Sequence, residues 1–98
     1  MAMTPEAKVK SVVTNTLKQM KAYIVKPMGV GYGNSGVPDL IVCFRGRFIG
    51  IECKAKGGKT TALQLHNLNS IDMAGGVALV INENNMHDLE QLIEERMK

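Results

Sequence analysis

Tryptophan is absent from these 98 residues, and aromatic side chains make up only 4% of them. Any interior must therefore be filled by aliphatic side chains, which a hydrophobic content of 45% supplies. Cysteine is scarce too: Cys43 and Cys53 each sit inside an apolar run, not in a spaced framework. That excludes a disulfide scaffold and reads as two small buried hydrophobes of a reducing compartment. Long hydrophobic runs are missing. The longest are strand-sized, so neither a membrane span nor a signal peptide is expected, and the protein should be soluble, cytoplasmic and not secreted. Histidine is limited to His66 and His87, with no HExxH pair and no cysteine cluster to build a zinc site. Each reads as a helix-surface residue. No GxSxG elbow is present to anchor serine hydrolase chemistry.

Two familiar phosphate-binding patterns appear and fail on context. Gly31-Tyr32-Gly33-Asn34-Ser35-Gly36 spells a dinucleotide fingerprint, with Glu52 standing where a ribose-binding acid would. That fingerprint must open a helix, whose N-terminus receives the pyrophosphate. Val37-Pro38-Asp39 and a β-type run follow instead, so no nucleotide cofactor is expected. Gly58-Lys59-Thr60 resembles the tail of a phosphate loop, but Cys53 occupies the position of its first glycine.

What the chain does have is an uneven charge. The net charge is +3, yet residues 1–60 carry ten Lys/Arg against only Glu6, Asp39 and Glu52. Residues 61–98 invert the balance, with six acids against Arg96 and Lys98. A basic part whose only three acids include Asp39 and Glu52 suits a polyanion-facing metal site. Lys8, Lys10, Lys18 and Lys21 also read simply as the solvated face of a helix.

Ninety-eight residues make a single domain, 1–98, with one core. Thr4 and Pro5 open a helix with Val9, Val12, Val13, Leu17 and Met20 inward. Ala22 to Met28 reads as a strand, and Pro27 puts it at an edge or strand end. A glycine-rich loop, Gly29 to Val37, leads to two strands, Asp39–Phe44 and Phe48–Lys54, joined by the turn Arg45-Gly46-Arg47. Lys56-Gly57-Gly58-Lys59 is a basic turn. A helix follows from Thr61, with Leu65, Leu68 and Ile71 inward, and stops at Gly75-Gly76. Val77–Ile81 reads as a buried strand, and Asn85 caps a last helix. The order is αβββαβα, a mixed sheet with a parallel crossover pair.

One constellation carries chemistry. Residues i and i+2 share a strand face, so Glu52 and Lys54 project together while Cys53 points away. If the two central strands pair as a hairpin, Asp39 meets both at one end of the sheet. Two acids and an ammonium suit Mg²⁺ or Mn²⁺ beside a phosphodiester, because these hard cations take carboxylate and phosphate oxygens and keep waters. The plain structural reading is a strand-end ion pair between Glu52 and Lys54, with Asp39 capping a turn. Thr61-x-x-Gln64 is a capping box, and Glu6 fits the first turn of a helix. Lys56, Lys59, Arg45 and Arg47 are candidate phosphate contacts, the two lysines being nearer Lys54.

Gly36-Val37-Pro38-Asp39-Leu40-Ile41-Val42, Ile51-Glu52-Cys53-Lys54 and Thr61-Ala62-Leu63-Gln64 resemble the PD-(D/E)XK nuclease superfamily, and within it the stand-alone, virus-type VRR-NUC branch. The resemblance covers nearly the whole chain and implies a restriction-endonuclease-like αβββαβ core plus a C-terminal helix. It implies a metal-dependent endonuclease on structured DNA (branched, flapped or four-way), in replication, repair or recombination, acting as a homodimer. By that resemblance Asp39, Glu52 and the backbone carbonyl of Cys53 are metal ligands, Lys54 is catalytic, Gln64 reaches the site, and Glu6 contacts metal through water. A different class stays open at this point: a non-catalytic DNA-binding or partner-docking module retaining the fold. An NAD-dependent enzyme is a more distant third.

Overall fold

A computed structural model of the chain describes residues 3–28 and 36–98. Helix α1 spans Pro5–Gln19, and Thr4 caps it by accepting from the Ala7 amide at 3.1 Å. Strands β1 (Tyr23–Val25), β2 (Leu40–Phe44) and β3 (Arg47–Cys53) follow, then helix α2 (Ala62–Met73), strand β4 (Val77–Ile81) and helix α3 (Leu89–Arg96). A single 3₁₀ turn, Met86–Asp88, precedes α3. Most of the glycine-rich Gly29–Val37 stretch, including Gly31 to Ser35 of the fingerprint, lies outside the described residues.

The sheet runs β1-β2-β3-β4, antiparallel across the first two pairs and parallel between β3 and β4. This is the expected mixed α/β architecture, with β1 at an edge. The hairpin turn is tight because Arg45 and Gly46 both take positive φ, 49° and 76°, so Phe44 pairs directly with Arg47. Two-residue turns of that hand match the natural twist of paired strands.

The two faces of the sheet differ. On one, Leu40, Val42, Phe44, Ile49, Ile51, Cys53, Val77, Leu79 and Ile81 are buried against Val9, Val13 and Leu17 of α1 and Leu89 and Ile93 of α3. Each such aliphatic side chain contributes roughly 1.5–3 kcal/mol. The opposite face carries α2, which packs on β3 and β4. Gly50 makes that approach possible: a side chain there would meet Ile71 Cδ1 at 2.5 Å. No helix among the described residues is long and apolar enough to cross a membrane.

Several sequence expectations need correction. Cys43 is exposed, not buried, because its strand position points to the α2 side of the sheet, where α2 does not reach. Leu65 is also largely exposed, and of the three residues expected inward on α2 only Leu68 is fully buried. Val80 is exposed at 39%, since β4 has one covered and one half-covered face. The first strand is three residues, not seven. Asn85 caps no helix; its side-chain oxygen accepts from the Asn82 amide at 2.8 Å and braces the turn leaving β4.

Candidate active site at the open end of the β2–β3 hairpin

Register assembles this end of the molecule. Leu40 pairs with Ile51, so one step further along the same ladder sets Asp39 opposite Glu52. Pro38-Asp39 begins where β2 begins, and Glu52-Cys53 is where β3 stops. Asp39 Oδ2 accepts from the Cys53 amide at 2.8 Å, which ties the two strand ends together. The convergence expected from the sequence is therefore present.

The electrostatics of the two acids diverge. Glu52 is 2% exposed, and its Oε2 has no hydrogen-bond partner among the described residues. Burial, then the neighbouring Asp39 carboxyl, raise its pKa to about 8, with the Lys54 ammonium working the other way. Asp39 moves down. Burial alone would raise it, but a proton held by Glu52, the Cys53 amide and the Lys10 ammonium together outweigh that. The pair therefore behaves as one carboxylate and one carboxylic acid sharing a proton near neutrality. Burial pushes the Cys53 thiol up to about 12, so the cysteine between the two charged positions stays protonated and is no nucleophile.

Lys10, which the sequence leaves open between a polyanion-facing charge and the solvated face of a helix, lies at this corner. Its Nζ lies 3.6 Å from Asp39 Oδ1, bringing α1 to the strand ends. No local pattern could have found it, because the contact joins segments far apart in sequence. Glu6, one helical turn earlier on α1, is exposed but close enough for its charge to act on Glu52.

The other candidates sort by distance from this corner. Lys54 is half-buried beside Glu52, and its amide continues the parallel ladder by donating to Ile81 at 2.9 Å. Lys56 is at the same end: its amide donates to Glu83 Oε2 at 2.8 Å, and it shares a shallow surface hollow with Glu6. Lys59 is exposed in the following turn. Gln64 is engaged in the helix cap: its Oε1 accepts from the Thr61 amide at 2.9 Å, while its own amide donates to Thr61 Oγ1 at 3.1 Å. The capping box read from the sequence is thus present. Arg45 and Arg47 stand at the turn end of the hairpin, the full length of β2 away. Arg45 there pairs with Glu94 at 2.7 Å and lies over the Phe44 ring. His66 and His87 are exposed, as expected.

A divalent cation fits this donor set. Glu52 Oε2 is a buried carboxylate oxygen without a hydrogen-bond partner among the described residues, and Asp39 Oδ1 lies 3.6 Å from the movable ammonium of Lys10. Both are the hard oxygen donors that Mg²⁺ and Mn²⁺ prefer. The described residues hold no cluster of three His, Cys, Asp or Glu side chains, so backbone carbonyl, water or phosphate oxygens would have to complete the shell.

No family model matches the chain, and no curated protein does. Solved structures do. A VRR_NUC domain superposes with a TM-score of 0.72 at 25% identity, covering 94% of this chain and 97% of that one. A VRR_NUC domain protein gives 0.69 at 24% identity, covering 95% and 91%. Hjc, a Holliday junction resolvase from the archaeal hyperthermophile Archaeoglobus fulgidus, gives 0.58 at 14% identity, covering 79% and 69%. The resemblance to VRR-NUC domains read from the motifs thus extends to the three-dimensional structure along almost the whole chain, and the nuclease fold is shared with the resolvase.

Proposed function

We propose that this protein is a Mg²⁺- or Mn²⁺-dependent endodeoxyribonuclease acting on branched DNA, four-way junctions included, in replication, repair or recombination. The observation that carries the proposal is the pairing of half-buried Asp39 with buried Glu52, whose Oε2 has no hydrogen-bond partner among the described residues. A buried unpaired carboxylate oxygen is costly unless a ligand uses it. Likeness to VRR_NUC domains and to Hjc supports the same reading.

Asp39 and Glu52 would hold the cation, with the Cys53 carbonyl available as a further oxygen donor and Glu6 near enough to act through water. The ion, when bound, neutralises phosphoryl oxygens and acidifies water. Lys54 orients the attacking water and offsets charge developing on the phosphate. Water adds to phosphorus, one P–O ester bond breaks, and the strand is left with a phosphate and a hydroxyl end. With Cys53 held as a thiol and no activated hydroxyl beside the acids among the described residues, hydrolysis proceeds without a covalent enzyme intermediate. Lys56 and Lys59, at the same end, contact flanking phosphates.

The homodimer rests on the uncovered part of the α2-side sheet face, where Tyr23, Cys43 and Phe48 are exposed in adjacent pairing positions on β1, β2 and β3. A second copy covering this apolar strip would pair two sites, as a junction with two strands to cut requires. Incubation with duplex, flap, single-stranded and four-way DNA tests the function. Cleavage should require Mg²⁺ or Mn²⁺, favour branched substrates, stop with chelator, and vanish in Glu52→Gln while binding survives. Binding without cleavage by the wild type in every metal would instead make the protein a non-catalytic DNA-binding module.

A further inference from the structure

Beside the carboxylate pair, a groove of about 470 Å³ runs along α1 and is walled on its far side by Lys26, just past β1. Glu6, Lys10, Thr14 and Lys18 line its helical side. Lys10 belongs to both features, since its ammonium holds Asp39 while its stem lines the groove. Among the described residues, no carboxylate lies within ion-pair range of Lys18 or Lys26. Glu6 is the sole acid on the wall, on the turn preceding Lys10. The groove is therefore basic and polar, and Lys10 joins it to the proposed site. None of the cations assigned to DNA above belongs to it.

We propose that this groove is a track for the phosphate backbone of the strand flanking the scissile bond, with Lys10 as its inner contact and Lys18 and Lys26 as its outer ones. The proposal rests on the nuclease reading of Asp39 and Glu52. Lys10 and Lys18 are eight residues apart, about 12 Å along a helix. That is about three to four nucleotide steps at 3.4 Å of duplex rise, so the lysines meet different phosphates. Lys10 also has two partners to choose between. When Asp39 Oδ1 turns to a cation, the ammonium loses its carboxylate and is free to take a phosphate oxygen of incoming DNA. Point-charge contacts by lysine carry no base information, so the track adds affinity and strand direction without sequence preference.

The test uses Glu52→Gln protein, which binds without cutting, and a four-way junction as probe. Affinity is measured from 50 to 200 mM salt for this protein, for the same protein with Lys18→Ala and Lys26→Ala, and for a control with Lys21→Ala and Lys98→Ala. Loss of two phosphate contacts should flatten the slope of log affinity against log salt by about 1.8, that is 0.9 for each. The control removes equal charge outside the groove and should leave the slope unchanged. An unchanged slope in the groove variant, or an equal change in both, overturns the track. Failure of the nuclease reading looks different: wild-type protein would then cut none of the DNA forms in Mg²⁺ or Mn²⁺, whatever the salt slopes.

Discussion

The β2–β3 hairpin has two ends that carry similar numbers of charged groups and do opposite things with them. At the turn end, Arg45 and Arg47 flank a glycine, and Arg45 is taken up by Glu94 in an exposed pair. At the open end, Glu52 is buried and Asp39 half-buried, and one oxygen of Glu52 meets no donor among the described residues. Exposed ion pairs contribute about 0–1 kcal/mol, because water screens them and side-chain entropy opposes them. A buried acid is different, since its ionised form needs a partner that the protein does not supply. Charge near a strand end becomes a candidate site when burial makes its ionisation expensive, not when charges are merely numerous.

The comparison breaks most sharply on cleavage. Glu52→Gln should reduce Mg²⁺-dependent cleavage of a four-way junction by about a thousandfold or more, the scale of losing several kcal/mol of charge stabilisation. Arg45→Ala, at the other end, should change it by less than about twofold. Comparable losses in single-turnover rates for the two variants would erase the distinction.

A second difference lies in pH. With its pKa raised to about 8 from an ordinary 4.5, Glu52 holds a proton in the folded state that the unfolded chain has already lost. That contribution to stability is complete below about 4.5 and is lost as pH rises towards 8. Asp39, with its pKa lowered, contributes in the reverse sense, and its share is lost only as pH falls below the usual carboxylate range. Metal-free protein should therefore melt at lower temperature as pH goes from 5 to 8. Glu52→Gln should flatten that decline, and a decline that persists in the variant would assign it elsewhere.

The two sheet faces sharpen the same contrast in apolar terms. One face is closed by α1 and α3, whereas Phe48 on the other is 48% exposed. Phe48→Asp should weaken self-association in sedimentation by about tenfold or more, because a charge would sit in the apolar strip. The smallest effect belongs to the helix cap. Gln64→Ala should cost about 1 kcal/mol in denaturant unfolding and leave the cleavage rate within about twofold of wild type. A large loss of rate with normal stability would return Gln64 to the chemistry.

How far the sequence foretold this depends on the range of the forces involved. Thr4-Pro5, Arg45-Gly46, Thr61-x-x-Gln64 and Gly75-Gly76 are local signals, and each lies where a cap, turn or stop was expected. The Asp39–Glu52 approach was legible because hairpin register is also local. Lys10 was not legible: its contact with Asp39 depends on how α1 lies across the strand ends, which helical periodicity does not encode. Cys43 and Val80 were misread for one common reason. Apolar strand patterns announce that a face wants cover, but not whether α2 is long enough, or close enough, to provide it.

Calorimetric titration of Mn²⁺ into the protein at pH 7, repeated in buffers of different ionisation enthalpy, counts the protons expelled on binding. Because Glu52 carries its proton there, wild-type protein should release about one per metal bound, and Glu52→Gln should bind weakly and release none. Binding with no proton release, or equal affinity in the variant, would mean that this buried pair is not where the cation sits.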